Sequence, residues 1–227
     1  MELLENIQVD IEAEAVKKKL RLDSIETAHS LIQTARPHIE ARAVYGVSYI
    51  DEKLPEAVQL DGVRFTSRVL RKNLDKAERA FPYVVTIGPA LETTASSSED
   101  LLDQYYLDEI GNFAVVGARQ QLERHLQKHF GLGRISKMSP GSLKDWPINE
   151  QKKLFSLLGD VESSLGVKLT PSFLMLPAKS VSGIRFPTEH GFATCMLCPR
   201  EGCPNRRAPH DPELYQRRYA PDAMLAE

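Results

Sequence analysis

Cysteine is missing from the first 194 of the chain's 227 residues. A disulfide framework is thereby excluded over most of the length, because such frameworks spread their cysteines through the fold. No apolar run reaches the roughly 18 to 20 residues that a membrane-crossing helix needs. The opening Met1-Glu2-Leu3-Leu4-Glu5 lacks the basic-then-apolar order of a secretory leader, so a cytoplasmic location without a membrane is expected. An excess of either charge is missing too, since 29 basic and 31 acidic residues nearly cancel. Binding to a phosphate backbone needs a basic field or face, so nucleic acid is not expected as a partner. No phosphate-cradling glycine loop and no serine-histidine-acid set can be assigned.

With 42% hydrophobic and 26% charged residues, the chain reads as an ordinary globular protein with one substantial core and room for a small appendage. Ile7, Val9 and Ile11 alternate with polar residues as on a half-buried strand, and Lys17-Lys18-Lys19 suits a solvated helix face. Asp23-Ser24-Ile25-Glu26 has the spacing of a capping box, and Ile25, Ala28, Leu31, Ile32 and Ala35 keep helical period until Pro37. From Ile39 to Tyr49 every second residue is apolar or aromatic, which predicts one strand with a buried face. Asp61-Gly62 marks a turn, and Ser67 opens a helix with Leu70, Leu74, Ala77 and Phe81 on its buried side, ended by Pro82. Residues 83–87 form a buried strand and residues 93–98 a polar loop.

Ser98 then caps a long helix reaching about Phe130. In it Gly111, Ala114, Gly117 and Ala118 make a strip of small residues, expected to receive a neighbouring helix. His125 and His129 stand four apart, but without a nearby acidic or thiol partner they read as exposed side chains. A helix from Pro147 carries Leu154, Leu157 and Leu158 and closes at Gly159, and strands follow at 166–171 and 180–186. Helices and strands mix without steady strand-helix-strand alternation, which favours an α+β architecture.

The least generic stretch is residues 137–186. Ser139-Pro140-Gly141-Ser142 is turn chemistry that leaves backbone amides unspent, and Asp145 is placed to cap the helix that admits Pro147 in its first turn. Pro140-Gly141 ahead of Pro147, the run Leu169-Thr170 with Ser172-Phe173 and Met175, and Ser180-Val181-Ser182-Gly183 with Phe186 together resemble the reactivation domain of cobalamin-dependent methionine synthase. That module binds S-adenosylmethionine (AdoMet) and uses it to remethylate oxidised cobalamin. The resemblance spans about a hundred residues and is concentrated between Pro140 and Phe186. It implies a twisted, mostly antiparallel sheet flanked by helices. It also implies an AdoMet site involving Glu123, Lys137, Ser139, Gly141, Ser142, Ser182, Gly183 and Phe192. Lys137 stands where the family has arginine, and Ser142 where it has tyrosine. Lysine keeps the charge but lacks the planar fork that grips a carboxylate twice.

All three cysteines, Cys195, Cys198 and Cys203, fall within nine residues near the C-terminus. Two thiolates two residues apart can hold one ion from a single turn, a third completes a face, and Pro199 and Pro204 stiffen the loops. His210 and Asp211 are candidates for a fourth ligand, His210 being better suited to zinc; an iron-sulfur cluster competes. Lys179, Arg200, Arg206 and Arg207 surround the segment with positive charge. The expected organisation is therefore an activation-domain-like part over 1–193 and a metal-binding segment over 194–227. The resemblance implies an accessory protein for reductive remethylation or methyl transfer at a cobalamin held by a corrinoid-binding protein or methionine synthase core, with a possible electron donor. The other reading is an iron-sulfur redox module that serves a corrinoid protein without AdoMet.

Overall fold

A computed structural model describes residues 1–203 and 206–220. Its strands are β1 (Glu2–Leu4), β2 (Arg42–Tyr45), β3 (Ser48–Lys53), β4 (Ala57–Leu60), β5 (Val63–Thr66), β6 (Arg79–Thr86), β7 (Ile135–Met138), β8 (Lys168–Leu169), β9 (Met175–Leu176) and β10 (Ser180–Pro187). The helices are α1 (Ala13–Leu20), α2 (Ile25–Ala35), α3 (Arg68–Asn73), α4 (Ala90–Ser97), α5 (Leu101–Phe130), α6 (Gln151–Leu157), α7 (Val161–Leu165) and α8 (Leu214–Arg218). The α+β class expected from the sequence is present, with helices beside a mostly antiparallel sheet. Among the described residues no helix is long and apolar enough to cross a membrane.

Two units divide the chain, and both are discontinuous in sequence. The first comprises Met1–Tyr45, Val84–Lys128 and Asp160–Val181; the second comprises Gly46–Tyr83, His129–Gly159 and Ser182–Glu227. The boundary expected at residue 194 does not coincide with a division between units. The described residues after 193 belong to the second unit, where Leu214 and Tyr219 are buried in the same hydrophobic cluster as Phe65, Trp146 and Phe192.

In the first unit, Ser24 caps α2 by accepting the Thr27 amide at 3.1 Å, so the cap lies one residue after the expected Asp23. Ala28, Ile32 and Ala35 then bury the apolar side of α2, and α1 packs against it through Val16 and Leu20. β1 runs antiparallel to β2, with Glu2 opposite Tyr45. The expected strand at 7–11 is instead an irregular segment pinned by Ile7 N to Ala41 O at 3.0 Å, with only Val9 fully buried. α5 forms as expected, but its glycines meet other neighbours than a single partner helix. Gly111 lies under the Lys179 stem and Leu91 of α4, and Gly117 lies under Val9 and the Asp10 carbonyl. His125 is not the exposed side chain expected, since its Nε2 sits 3.0 Å from the Tyr45 hydroxyl, which also donates to the Glu2 carboxylate. Burial, followed by the hydrogen bond and charge of Glu2, pushes the Tyr45 phenol well above its ordinary range.

In the second unit, β3, β4 and β5 form an antiparallel meander, and β3 also pairs with the start of β6 (Ser48 opposite Ala80). Asp61 and Gly62 both take positive φ, 44° and 79°, as a two-residue hairpin turn requires. The predicted single strand from Ile39 to Tyr49 is broken into β2 and β3 around Gly46. α3 stops at Asn73 instead of continuing to Phe81, which lies in β6. Pro82 is therefore a strand residue, and its carbonyl accepts the Gly46 amide at 3.0 Å. β7 and β10 pair antiparallel, with Met138 opposite Ile184 and Lys137 opposite Arg185.

Candidate functional site

The bend that follows β7 is pinned at several points within the second unit. Gly141 takes φ +79°, and the Ser142 amide and hydroxyl both donate to Ser139 O, at 3.1 and 2.6 Å. The Gly141 amide donates to Trp146 O at 2.7 Å. Two of the amides that the turn chemistry was expected to leave unspent, those of Gly141 and Ser142, are thus satisfied inside the bend itself, where the chain doubles back through Leu143 and Trp146. Ser139 Oγ donates to Ser182 O at 2.7 Å, closing the bend onto β10. Gly183 is pressed beneath it: a Cβ there would lie 2.4 Å from Met138 O and 2.7 Å from Ser139 Oγ. Ser139, Gly141, Ser142, Ser182 and Gly183 are therefore brought together, with the Gly141 and Ser142 amides bonded inside the bend.

Two residues on this stretch do other work than the sequence suggests. Asp145 does not cap the helix after Pro147; its carboxylate accepts the amides of Arg68 and Val69 and the Ser67 hydroxyl at the start of α3. Phe192, expected to line a pocket, is buried with its ring centroid 6.2 Å from that of Tyr219, and its amide donates to Ser136 Oγ at 2.8 Å. Glu123 is half-buried on α5 in the first unit, whereas Lys137 is half-buried on β7 in the second.

Sequence reasoning missed Arg185. It is 1% exposed, its guanidinium lies 5.3 Å from the Tyr83 ring centroid, and the β7–β10 register sets it directly across from Lys137. Directly opposed residues share a face of the sheet, so two cationic side chains stand side by side there. The only sequence signal for this pairing is the register itself, which cannot be read before the strands are aligned.

The cysteine segment begins with a 3-10 turn over Thr194–Leu197, and the Cys198 amide donates to Cys195 O at 3.3 Å. All three thiols are free and half-buried. Arg206 does not present its charge outward. It donates to the carbonyls of Cys195 (3.0 Å), Cys198 (3.1 Å), Ala208 (3.3 Å) and Arg200, and the loop folds around its guanidinium. Lys179, also expected near the thiols, is an element of the first unit and pairs with Asp108 at 2.8 Å. Burial opposes ionisation of Cys195, but the amide, charge and side chain of Arg207 and the amide of Ala208 outweigh it and bring the thiol below its ordinary value. Asp211 is committed to α8, where it accepts the amides of Glu213 and Leu214, while His210 is exposed. Among the described residues no three His, Cys, Asp or Glu side chains are grouped as a bound ion would need. Pro204 lies outside the described residues.

This bend and the strand that covers it fall in the part of the chain for which a family is recognisable. Residues 140–193 match the family described as vitamin B12 dependent methionine synthase, activation domain. A solved structure of similar fold is the crystal structure of the MetH reactivation domain bound to AdoHcy. The two share 19% sequence identity with a TM-score of 0.54, over 82% of this chain and 70% of that one. No curated protein matches. The fold expected from the resemblance is thus present, and the activation-domain match covers the bend, β10 and Phe192.

Proposed function

We propose that this chain is an AdoMet-binding accessory protein that supports reductive remethylation or methyl transfer at a cobalamin carried by a partner protein. The activation-domain match over residues 140–193 is the observation that carries the reading. The chemistry asked of such a protein is positional. Cobalt and the sulfonium methyl group do the bond exchange once an electron has reduced the cofactor, and the protein brings them together in line. With the Gly141 and Ser142 amides bonded inside the bend, recognition falls largely to side chains. Lys137 holds the carboxylate of the methionyl end, as the family resemblance implies. Calorimetry with AdoMet, alone and with a corrinoid protein, tests the reading. Binding that weakens in Lys137→Ala and tightens several-fold in Lys137→Arg, which restores the planar fork, is the expected result. No heat at millimolar AdoMet under either condition overturns it.

The bonding of the Gly141 and Ser142 amides within the bend favours a second reading, in which the fold is kept, AdoMet is not bound, and Cys195, Cys198 and Cys203 hold an iron-sulfur cluster that passes electrons to a corrinoid protein. The donor set suits such a cluster or zinc, with His210 available as a fourth ligand. Protein purified without oxygen then carries iron and visible absorbance, both lost in Cys198→Ser. A colourless protein with stoichiometric zinc removes the electron-transfer role and leaves a structural one.

A further inference from the structure

Cys195 and Cys198 stand three residues apart in one turn of the second unit, closed by the Cys198 amide on Cys195 O at 3.3 Å. A turn closed in this way keeps the two α-carbons within about 7 Å, the outer reach of a disulfide. The backbone between them is held from two sides. Met196 and Leu197, which separate the cysteines, pack against the hydrophobic cluster that contains Trp146 and Phe192. On the other side a single guanidinium bridges the two cysteine carbonyls, Arg206 Nη1 reaching Cys195 O at 3.0 Å and Nη2 reaching Cys198 O at 3.1 Å. Two thiols fixed on so short a turn meet at high effective concentration, which favours their joining. The Cys195 sulfur also receives the amides of Arg207 and Ala208 and the Arg207 side chain, donors that stabilise negative charge on it whether it attacks or departs. All three thiols are half-buried, and so partly open to a small reagent. Among the described residues Cys203 does not join the pair in a three-donor group.

We infer that Cys195 and Cys198 form a thiol–disulfide exchange site for low-molecular-weight disulfides, with Cys203 outside the reaction. The Cys195 sulfur attacks one sulfur of the disulfide RSSR. The S–S bond of RSSR breaks, the Cys195 proton ends on the departing RS group, and a mixed disulfide between Cys195 and the other RS group remains. The Cys198 sulfur then attacks the Cys195 sulfur, the bond to RS breaks, and a second RSH leaves with the Cys198 proton. The protein gives up two electrons and gains one intrachain disulfide, while RSSR becomes two RSH. These two sulfurs cannot serve a cluster and the exchange at once, whereas AdoMet binding is independent of both.

Full-length protein, purified without oxygen and with no chelation step, is exposed to oxidised and reduced glutathione at graded ratios, quenched by alkylation and read by peptide mass spectrometry. The expected product is a Cys195–Cys198 disulfide with Cys203 alkylated. Cys198→Ser is expected to stop with one glutathionyl group on Cys195, and Cys195→Ser to form no intrachain disulfide. Arg206→Gln, which removes the bridge between the carbonyls, is expected to move the midpoint glutathione ratio about tenfold towards the oxidising side, because the turn must then be ordered as the bond closes. Persistence of all three thiols across the whole range, as an ion held by the three sulfurs would impose, overturns the proposal. A product joining Cys203 to either other cysteine, or a glutathionyl group that stays on Cys195 in the unaltered protein, overturns it equally.

Discussion

Gly183 leaves no space for a side chain, and the reason is a backbone carbonyl, which cannot rotate away as a flexible side chain can. A Cβ at this position would stand 2.4 Å from Met138 O. Gly183→Ala is therefore expected to force β7 and β10 apart locally and cost about 1–3 kcal/mol, read as a fall in urea midpoint without loss of helical signal. A midpoint unchanged from the parent would mean that the strands yield at no cost. At the cysteine segment, the Cys195 thiol is held below its ordinary value against the effect of burial by Arg207 and the Ala208 amide. Its alkylation in metal-free protein should accordingly rise at lower pH than that of a free cysteine, and Arg207→Ala should move the profile upward; a profile indifferent to Arg207 would deny the effect. At this scale the sequence was partly legible. Spacing identified Cys195, Cys198 and Cys203 as residues to examine together. It could not show that Arg206 would turn inward to four carbonyls, because hydrogen bonding to backbone is not encoded by residue type. It likewise could not show that Gly141 would satisfy its own amide across the bend, since Trp146 O reaches it only after the chain doubles back.

Elements whose signals are local were readable, and those decided by partners distant in sequence were not. Ser24 and the apolar period of α2 lie within a dozen residues, as do Asp61 and Gly62 between β4 and β5. β6 illustrates the opposite case. Pro82 reads in sequence as a helix terminator, yet residues 79–86 are extended: β3 pairs with Arg79 and Ala80, and the whole stretch from Ala80 to Thr86 is buried. α4, whose serines and threonines read in sequence as a polar loop over 93–98, is helical with Leu91 and Ala95 buried, and the hydroxyls of Thr93, Thr94 and Ser96 bond back to carbonyls four residues earlier. Asp145 is the clearest distant determinant: 77 positions separate it from Arg68, and it still completes the start of α3. Asp145→Ala is expected to cost about 0.5–2 kcal/mol and to raise amide exchange at Arg68 and Val69 selectively, leaving α6 protected. Deprotection of α6 instead would return the cap to the helix after Pro147. α8 makes a comparable statement about pH. Its Asp211 carboxyl lies below the ordinary 3.8, chiefly through its hydrogen bond from Arg217, which with the Glu213 and Leu214 amides and the Arg217 charge outweighs desolvation. A depressed folded value means that the stabilisation is complete above 3.8 and fades as pH falls through the lower value. Chemical shifts of residues 214–218 should therefore change in that acidic window, and Asp211→Asn should abolish the change.

For the molecule as a whole, the organisation expected from composition was a domain followed by a metal-binding tail. Cysteine position suggests it; the chain also crosses between its two units several times, and Leu214 and Tyr219 from this segment lie in the core of the second. Tyr219 is fully buried and donates its hydroxyl to Asn73 at 3.2 Å, and Leu214 lies in the same cluster as Trp146 and Phe186. The two accounts differ in what removing the segment does. A tail stapled only by metal would cost little once chelator has stripped the protein. A segment that completes a core takes its buried side chains with it, at roughly 1.5–3 kcal/mol for each large apolar one, and leaves the Asn73 carboxamide and the faces of Phe192 and Trp146 against solvent or void. Truncation before residue 194, measured in chelator, is thus expected to lower stability by about 3 kcal/mol or more and to reduce the urea m-value, because less surface remains to be exposed on unfolding. Replacing Cys195, Cys198 and Cys203 together by serine under the same conditions should cost far less, since these thiols are only half-buried. Equal losses from the truncation and the triple replacement would place the stabilising contacts on the cysteines and remove Leu214 and Tyr219 from the core.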